Sequence, residues 1–176
     1  MALRVAINGF GRIGRLVYRA ILEANNDGIE VVCINDLGPT KSNAHLLKFD
    51  SSHGVLPQDI KVDGDTMDAG QGPVRITAER DPAKLPWAEL DVDIALECTG
   101  FFAKRDAAAA HLEAGAKRVL ISAPAAGADL TVVYGVNDDQ LTADHTVVSN
   151  ASCTTNCLAP VAHVLNQAVG IERGFM

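Results

Sequence analysis

Near its end the chain carries Ala151-Ser152-Cys153-Thr154-Thr155-Asn156-Cys157, a cysteine set among small hydroxyl residues. The apolar run before it reads as a strand, and residues 152–169 after it keep a helical spacing of apolar positions. Cys153 therefore falls in the first turn of a helix, with Ser152 or Asn150 as its cap. Free amides and the helix dipole favour a thiolate at such a place. The small neighbours leave room for a substrate, and Ser152 and Thr154 offer hydroxyls that can hold an anion. The chemistry this suits is nucleophilic attack; the plainer reading is a small buried core residue, as unpaired cysteines commonly are. Cys157, one turn on, reads as a buried structural thiol.

A thiol nucleophile wants a base, and the chain has five histidines: His45, His53, His111, His145 and His163. His163 stands on the same helix, about 15 Å along its axis, which is too far. His111 falls on an alanine-rich helix and reads as a surface residue. His145 begins the strand before the cysteine, at its remote end. His45 and His53 lie near the nucleotide side, and neither has a reason to reach Cys153. No base is assigned from these residues.

A second group stands at the other end of the chain. Gly9-Phe10-Gly11-Arg12-Ile13-Gly14 follows a strand directly and opens an amphipathic helix. In that context the three glycines are a dinucleotide cradle. Gly9 permits a tight turn, Gly11 removes the Cβ that would block a pyrophosphate, and Gly14 lets helix and strand pack closely. Asp36 ends the next strand roughly twenty residues on, where a carboxylate can accept ribose hydroxyls and repel a 2′-phosphate. A strand-ending turn aspartate is the bland alternative. Thr40 and Lys41 nearby keep NADP open beside NAD. Thr99 and Ser122 end two later strands and offer small groups to the same crevice. Arg80 either lies over an adenine or pairs with Asp81. With a dinucleotide in reach, Cys153 could hold an aldehyde as a hemithioacetal that gives up its hydride.

The elements that position these residues alternate along the chain. Strands are expected at Leu3–Asn8, 30–35, 93–98, 119–122, 130–134 and 146–149. Helices are expected at 12–25, at 42–49 with Ser42 as N-cap, at 103–114 stopping at Gly115, and at 152–169. Residues 58–78 hold short alternating runs around Asp63-Gly64 and Gly70-Gln71-Gly72, which read as antiparallel edge strands. The expected fold is α/β: a doubly wound, Rossmann-type, mostly parallel sheet with antiparallel additions. Residues 1–151 form the nucleotide-binding domain, and residues 152–176 begin a second one.

Composition agrees. Apolar residues make up 48% of the 176 and aromatics 5%, which favours an aliphatic core. The net charge of −7 with scattered Lys and Arg argues against nucleic acid as a partner. The four cysteines lack zinc spacing, so no metal is expected, and Cys33 and Cys98 sit in apolar runs as buried reduced thiols. No apolar run approaches a membrane span and no leader precedes the first strand, so a cytoplasmic location is expected.

The segments INGFGRIGR, INDL, ECTGFF, VVYGVN and, above all, SNASCTTNCLAP resemble the glyceraldehyde-3-phosphate dehydrogenase family. The resemblance runs from Leu3 to Met176 and covers about the N-terminal half of a typical member. It implies that Arg12 and Ile13 give backbone contacts to the pyrophosphate and that Asp36 binds the ribose of NAD. Arg80, Thr99 and Ser122 would line the cofactor cleft. Cys153 would attack the aldehyde of glyceraldehyde 3-phosphate, and inorganic phosphate, held by Ser152 and Thr154, would cleave the resulting thioester. The family's base histidine follows the segment matching ERGFM, so these 176 residues alone are expected to bind cofactor with little turnover. The resemblance also implies a homotetrameric glycolytic enzyme. Erythrose-4-phosphate dehydrogenase, which shares the cysteine motif, is the near alternative; a cofactor-binding module without turnover is the distant one.

Overall fold

A computed structural model describes residues 2–24 and 27–176. The elements run β1 (Leu3–Asn8), α1 (Arg12–Ala24), β2 (Ile29–Asn35), α2 (Thr40–Lys48), β3 (Phe49–Asp50), β4 (Gly54–Val55), β5 (Lys61–Asp63), β6 (Thr66–Asp68) and β7 (Pro73–Thr77). They continue with β8 (Ile94–Glu97), α3 (Arg105–Ala108), α4 (Ala110–Glu113), β9 (Arg118–Ile121), β10 (Leu130–Thr131), β11 (Val147–Ser149) and α5 (Cys153–Val169).

One sheet holds nine of these strands in the order β10-β11-β9-β8-β1-β2-β7-β6-β5. Pairing is parallel from β10 to β7; only β7·β6 and β6·β5 are antiparallel. The chain builds outward from β1 through β2 to β7, then crosses to β8 on the other flank of β1. The order reverses between β1 and β8, and that switch point is where a crevice opens above the strand ends.

Alternation along β1 sends Val5 and Ile7 to one layer, with Tyr18 and Leu22 of α1, and Ala6 to the other, with Trp87 and Val92. In β2, Val32 and Cys33 are consecutive yet share the second layer. The cause is a register shift: Val5 pairs with Val31, and Ala6 with Cys33, so Val32 is extra.

Several expected elements differ in detail. The second helix starts at Thr40, and Ser42 is not its cap. The Ser42 and Asn43 amides already bond the Pro39 carbonyl, so Ser42 stands inside the first turn. The β3–β4 hairpin follows where the helix was expected to run on; Asp50 takes the Ser52 and His53 amides and turns the chain. The alanine-rich helix begins at Arg105 because Lys104 bridges to Ala126 in extended form. It runs as two pieces that meet at Ala109 and stops at Glu113, two residues before Gly115 (φ +105°), where a Cβ would stand 2.7 Å from the Ala88 backbone. The expected strand 130–134 is cut to two residues because the Val133 amide turns to the Asn137 side chain. Residue 25 of the first expected helix lies outside the described residues. No helix among the described residues is long and apolar enough to cross a membrane.

Candidate functional site

The three glycines of the first turn do different work. Gly9 has φ +90°, and a Cβ there would stand 2.7 Å from the Thr99 amide nitrogen. A Cβ on Gly14 would stand 2.2 Å from the Gly9 carbonyl oxygen. Both are therefore fixed by the close approach of α1 and β8 to the turn. A Cβ on Gly11 would meet nothing within 4 Å. Gly11 opens instead onto a cleft of about 440 Å³, which Gly9, Asp36, Arg80, Thr99 and Phe101 also line.

Asp36 extends from the end of β2 toward the same turn. Its Oδ2 accepts the Phe10 amide at 2.8 Å, and its Oδ1 accepts the Gly38 amide at 2.8 Å and the Asn43 side chain at 3.2 Å. Oδ2 keeps a lone pair for a ligand hydroxyl. Thr40 heads α2 beside an adjoining cleft, next to Asp36 and Leu37. Arg80 is exposed at the cleft rim; Asp81 is engaged elsewhere, capping the Ala83 amide and pairing with Lys84 at 3.3 Å. The Arg12 side chain leads away to Asp50 at 3.0 Å, so only its backbone, in the first helical turn, is left to face a ligand. That open glycine, the helix start and the braced carboxylate fit a dinucleotide.

Cys153 opens α5. Ser152 is the cap: its Oγ accepts the Thr155 amide at 3.0 Å and lies 3.0 Å from the Thr154 hydroxyl. Just before it, Ala151 adopts φ +57° while almost fully buried. A left-handed non-glycine residue costs about 1–2 kcal/mol, and here it swings the chain from the strand end into the helix. Cys153 lines a cleft of about 260 Å³ with Ile13, Val17, Cys98, Ser122 and Asn150. Cys98 lines this cleft and the glycine-turn cleft alike, so the two are neighbours across one residue.

The cysteines separate by setting. Burial pushes the Cys98 thiol up to about 11, against the pull of its hydrogen bond with Ser122. Burial likewise raises Cys33 to about 11, and its hydrogen bond with Thr77 only partly offsets this. Cys153 is exposed. So is Cys157, expected as a buried structural thiol: within these 176 residues α5 has no buried residue, and its second turn is as open as its first.

His111 also departs from expectation. It is fully buried, because α3–α4 packs its far face onto the sheet rather than onto solvent. Its Nδ1 accepts the Trp87 indole N–H at 3.0 Å, and its Nε2 lies 3.0 Å from Glu97 Oε2. With the indole N–H on Nδ1, the ring proton that faces Glu97 is the one on Nε2. His163 meets Gln167, His145 meets Thr142 and His45 packs on Phe49. Among the described residues no histidine lines the Cys153 cleft.

Two kinds of residue escaped the sequence reading. The Ile13 side chain, expected only through its backbone, walls the cysteine cleft. Asn8, Asn35 and Glu97 are buried polar residues closing apolar strands under the crevice. A polar residue as the last letter of a buried strand was the available signal.

A glycine turn at the switch point of a doubly wound sheet, with an acidic residue ending the second strand, defines a Rossmann-type dinucleotide-binding protein. The family model described as glyceraldehyde 3-phosphate dehydrogenase, NAD binding domain, matches residues 3–105, and the one described as the C-terminal domain matches residues 152–176. The chain belongs to the glyceraldehyde-3-phosphate dehydrogenase family. It is 70% identical over 176 residues to a glyceraldehyde-3-phosphate dehydrogenase of Xanthobacter flavus, covering 100% of this chain and 52% of the relative. The Cereibacter sphaeroides enzyme is 62% identical over 176 residues, with the same two coverages. The Thermotoga maritima enzyme is 53% identical over 173 residues, 98% of this chain and 52% of the relative. The chain spans about half the length of these curated relatives.

Proposed function

We propose that the chain supplies the NAD-binding part and the nucleophile of a phosphorylating glyceraldehyde-3-phosphate dehydrogenase. The carrying observation is the shared Cys98 wall, which sets the exposed Cys153 beside the cleft of the glycine turn. The domain division is drawn between Ala151, the strained residue, and Ser152, the helix cap.

Gly11, with the Arg12 and Ile13 backbone, holds the pyrophosphate, and Gly9 and Gly14 let turn, helix and strand approach closely enough to form that cradle; Asp36 takes the ribose hydroxyls; Arg80 and Thr99 line the glycine-turn cleft, and Ser122 the adjoining cysteine cleft. NAD, when bound, supplies the hydride acceptor. Cys153 Sγ adds to the aldehyde carbon of glyceraldehyde 3-phosphate and carries the acyl group as a thioester. Ser152 and Thr154 place inorganic phosphate on that carbon, and the thiolate leaves as 1,3-bisphosphoglycerate forms. A homotetrameric, cytoplasmic, glycolytic enzyme is the assembly this reading implies.

The test is NADH formation by the protein that carries these residues. It should require glyceraldehyde 3-phosphate and inorganic phosphate, and disappear in Cys153→Ser. Faster turnover of erythrose 4-phosphate would redirect the substrate; phosphate-independent NADH formation would overturn the acyl-phosphate step. A second reading, cofactor binding without turnover by residues 1–176 alone, is favoured by the placement of the histidines away from Cys153. Calorimetric NAD binding with no NADH release from this chain would support it.

A further inference from the structure

Four polar residues stand in one row across the sheet. Glu97 pairs in register with Asn8, Asn8 with Asn35, and Asn35 with Thr77, each the last residue of its strand (β8, β1, β2 and β7). Their side chains bond one to the next. The Thr77 hydroxyl donates to Asn35 Oδ1 at 2.8 Å, Asn35 Nδ2 donates to Asn8 Oδ1 at 2.7 Å, and Asn8 Nδ2 donates to Glu97 Oε2 at 2.6 Å. His111 Nε2–H donates to the same oxygen at 3.0 Å. Every donor in the row points toward Glu97, which is almost fully buried. On its other side, Glu97 Oε1 accepts the Thr99 amide at 2.7 Å and the Thr99 hydroxyl.

The row lies directly beneath the cofactor cleft. Within one to three residues after its members come Gly9, Asp36, the Glu79–Arg80 segment and Thr99, all of which line that cleft. Asn35 also holds the Glu79 amide and carbonyl at 2.8 Å each. The Thr99 hydroxyl in turn accepts the Phe101 amide at 3.1 Å. A buried ionised carboxylate is retained only where several donors satisfy it, and here those donors are the strand ends themselves.

We propose that Glu97 is a positioning residue for the dinucleotide, the terminal acceptor of a polarised row that fixes the relative heights of the four cofactor-facing turns. This rests on the NAD-binding reading above. Direction matters: Asn35 cannot reverse its amide, because the Glu79 amide needs its oxygen. In Glu97→Gln the carbonyl therefore stays with Asn8 and His111, and the new amide faces the Thr99 amide, donor against donor. The Thr99 turn is then released while the rest of the row survives.

NAD is titrated calorimetrically into the 176-residue chain, and amide exchange at Thr99 and Phe101 is followed without ligand. Glu97→Gln should weaken NAD at least about tenfold and speed exchange at both amides. Thr77→Val, isosteric and outside the cofactor cleft, should weaken NAD about threefold through Asn35; it decides the matter if Glu97→Gln does not fold. Val119→Ala, a core truncation in β9, should lower the unfolding midpoint and leave NAD affinity unchanged. Parent-like affinity in both row variants overturns this inference alone. So does a loss in Val119→Ala equal to theirs, which would make the effect general softening. Failure of the parent to bind NAD overturns the cofactor reading and this inference together.

Discussion

At the scale of the residue, one glycine of the three faces outward. Gly11 has open space where Gly9 and Gly14 meet backbone. Gly11→Ala should therefore keep its unfolding midpoint and lose at least about tenfold in NAD affinity, since the methyl group fills the pyrophosphate cradle. Gly14→Ala should instead cost about 1–3 kcal/mol by overpacking against the Gly9 carbonyl; a urea titration separates the two. Asp36 differs again, because it braces the turn as well as facing the cleft. Asp36→Ala should weaken NAD at least about tenfold, narrow the preference over NADP, and cost about 1–2 kcal/mol from the orphaned Phe10 and Gly38 amides. Unchanged calorimetric affinity would contradict the ribose role. Among the thiols, Cys153 and Cys157 are exposed, while burial holds Cys33 and Cys98 near 11. Iodoacetamide followed by mass spectrometry at pH 8 should label the first two at least about tenfold faster.

At the scale of the element, the cysteine helix depends on its cap. Ser152 satisfies the Thr155 amide after a strained Ala151 has turned the chain. Asn156 ties the same turn back, donating to the Asn150 and Ser152 carbonyls at 2.7 and 2.9 Å. Ser152→Ala should cost about 1 kcal/mol, concentrated in the first turn, with faster amide exchange at Thr155. Exchange at Val147, in the strand behind, should not move. Equal changes at both sites would mean that helix and strand open as one unit.

At the scale of the molecule, stability should depend on pH at both ends. Amides of His53 and Ser52 hold Asp50 down at about 2, with Arg12 adding to them. Lys117 and the Arg4 amide lower Asp93, and the Val147 amide with Arg105 lowers Asp129 strongly. Burial pushes Glu97 up, but His111, Thr99 and Asn8 outweigh it and leave it low. These groups keep their charge in the folded chain at pH values where the unfolded chain has taken protons. Their stabilisation is full above about pH 4.5 and is lost as pH falls toward 2. Cys33 and Cys98 near 11, and Tyr18 raised by burial to about 12, act oppositely. The unfolded chain ionises them first, so stability falls as pH rises from about 8.5 toward 11. Urea midpoints should drop below about pH 4.5 and again above about pH 8.5.

The glycine turn from Gly9 to Gly14, the strand end before Asp36, and the helix start at Ser152 and Cys153 were legible in the sequence by itself. So was the alternation that builds a mostly parallel sheet. Each of these signals is local: a turn, a cap or a period written in neighbouring letters. Only the tertiary structure decided what distant segments do to one another. It buried His111 against Trp87, left Cys157 open, and set Cys98 between two clefts. It also joined Asn8 to Glu97 across 89 residues and Asn35 to Thr77 across 42. Strand register makes those contacts. Register is a property of chains laid side by side, and no short stretch of sequence carries it.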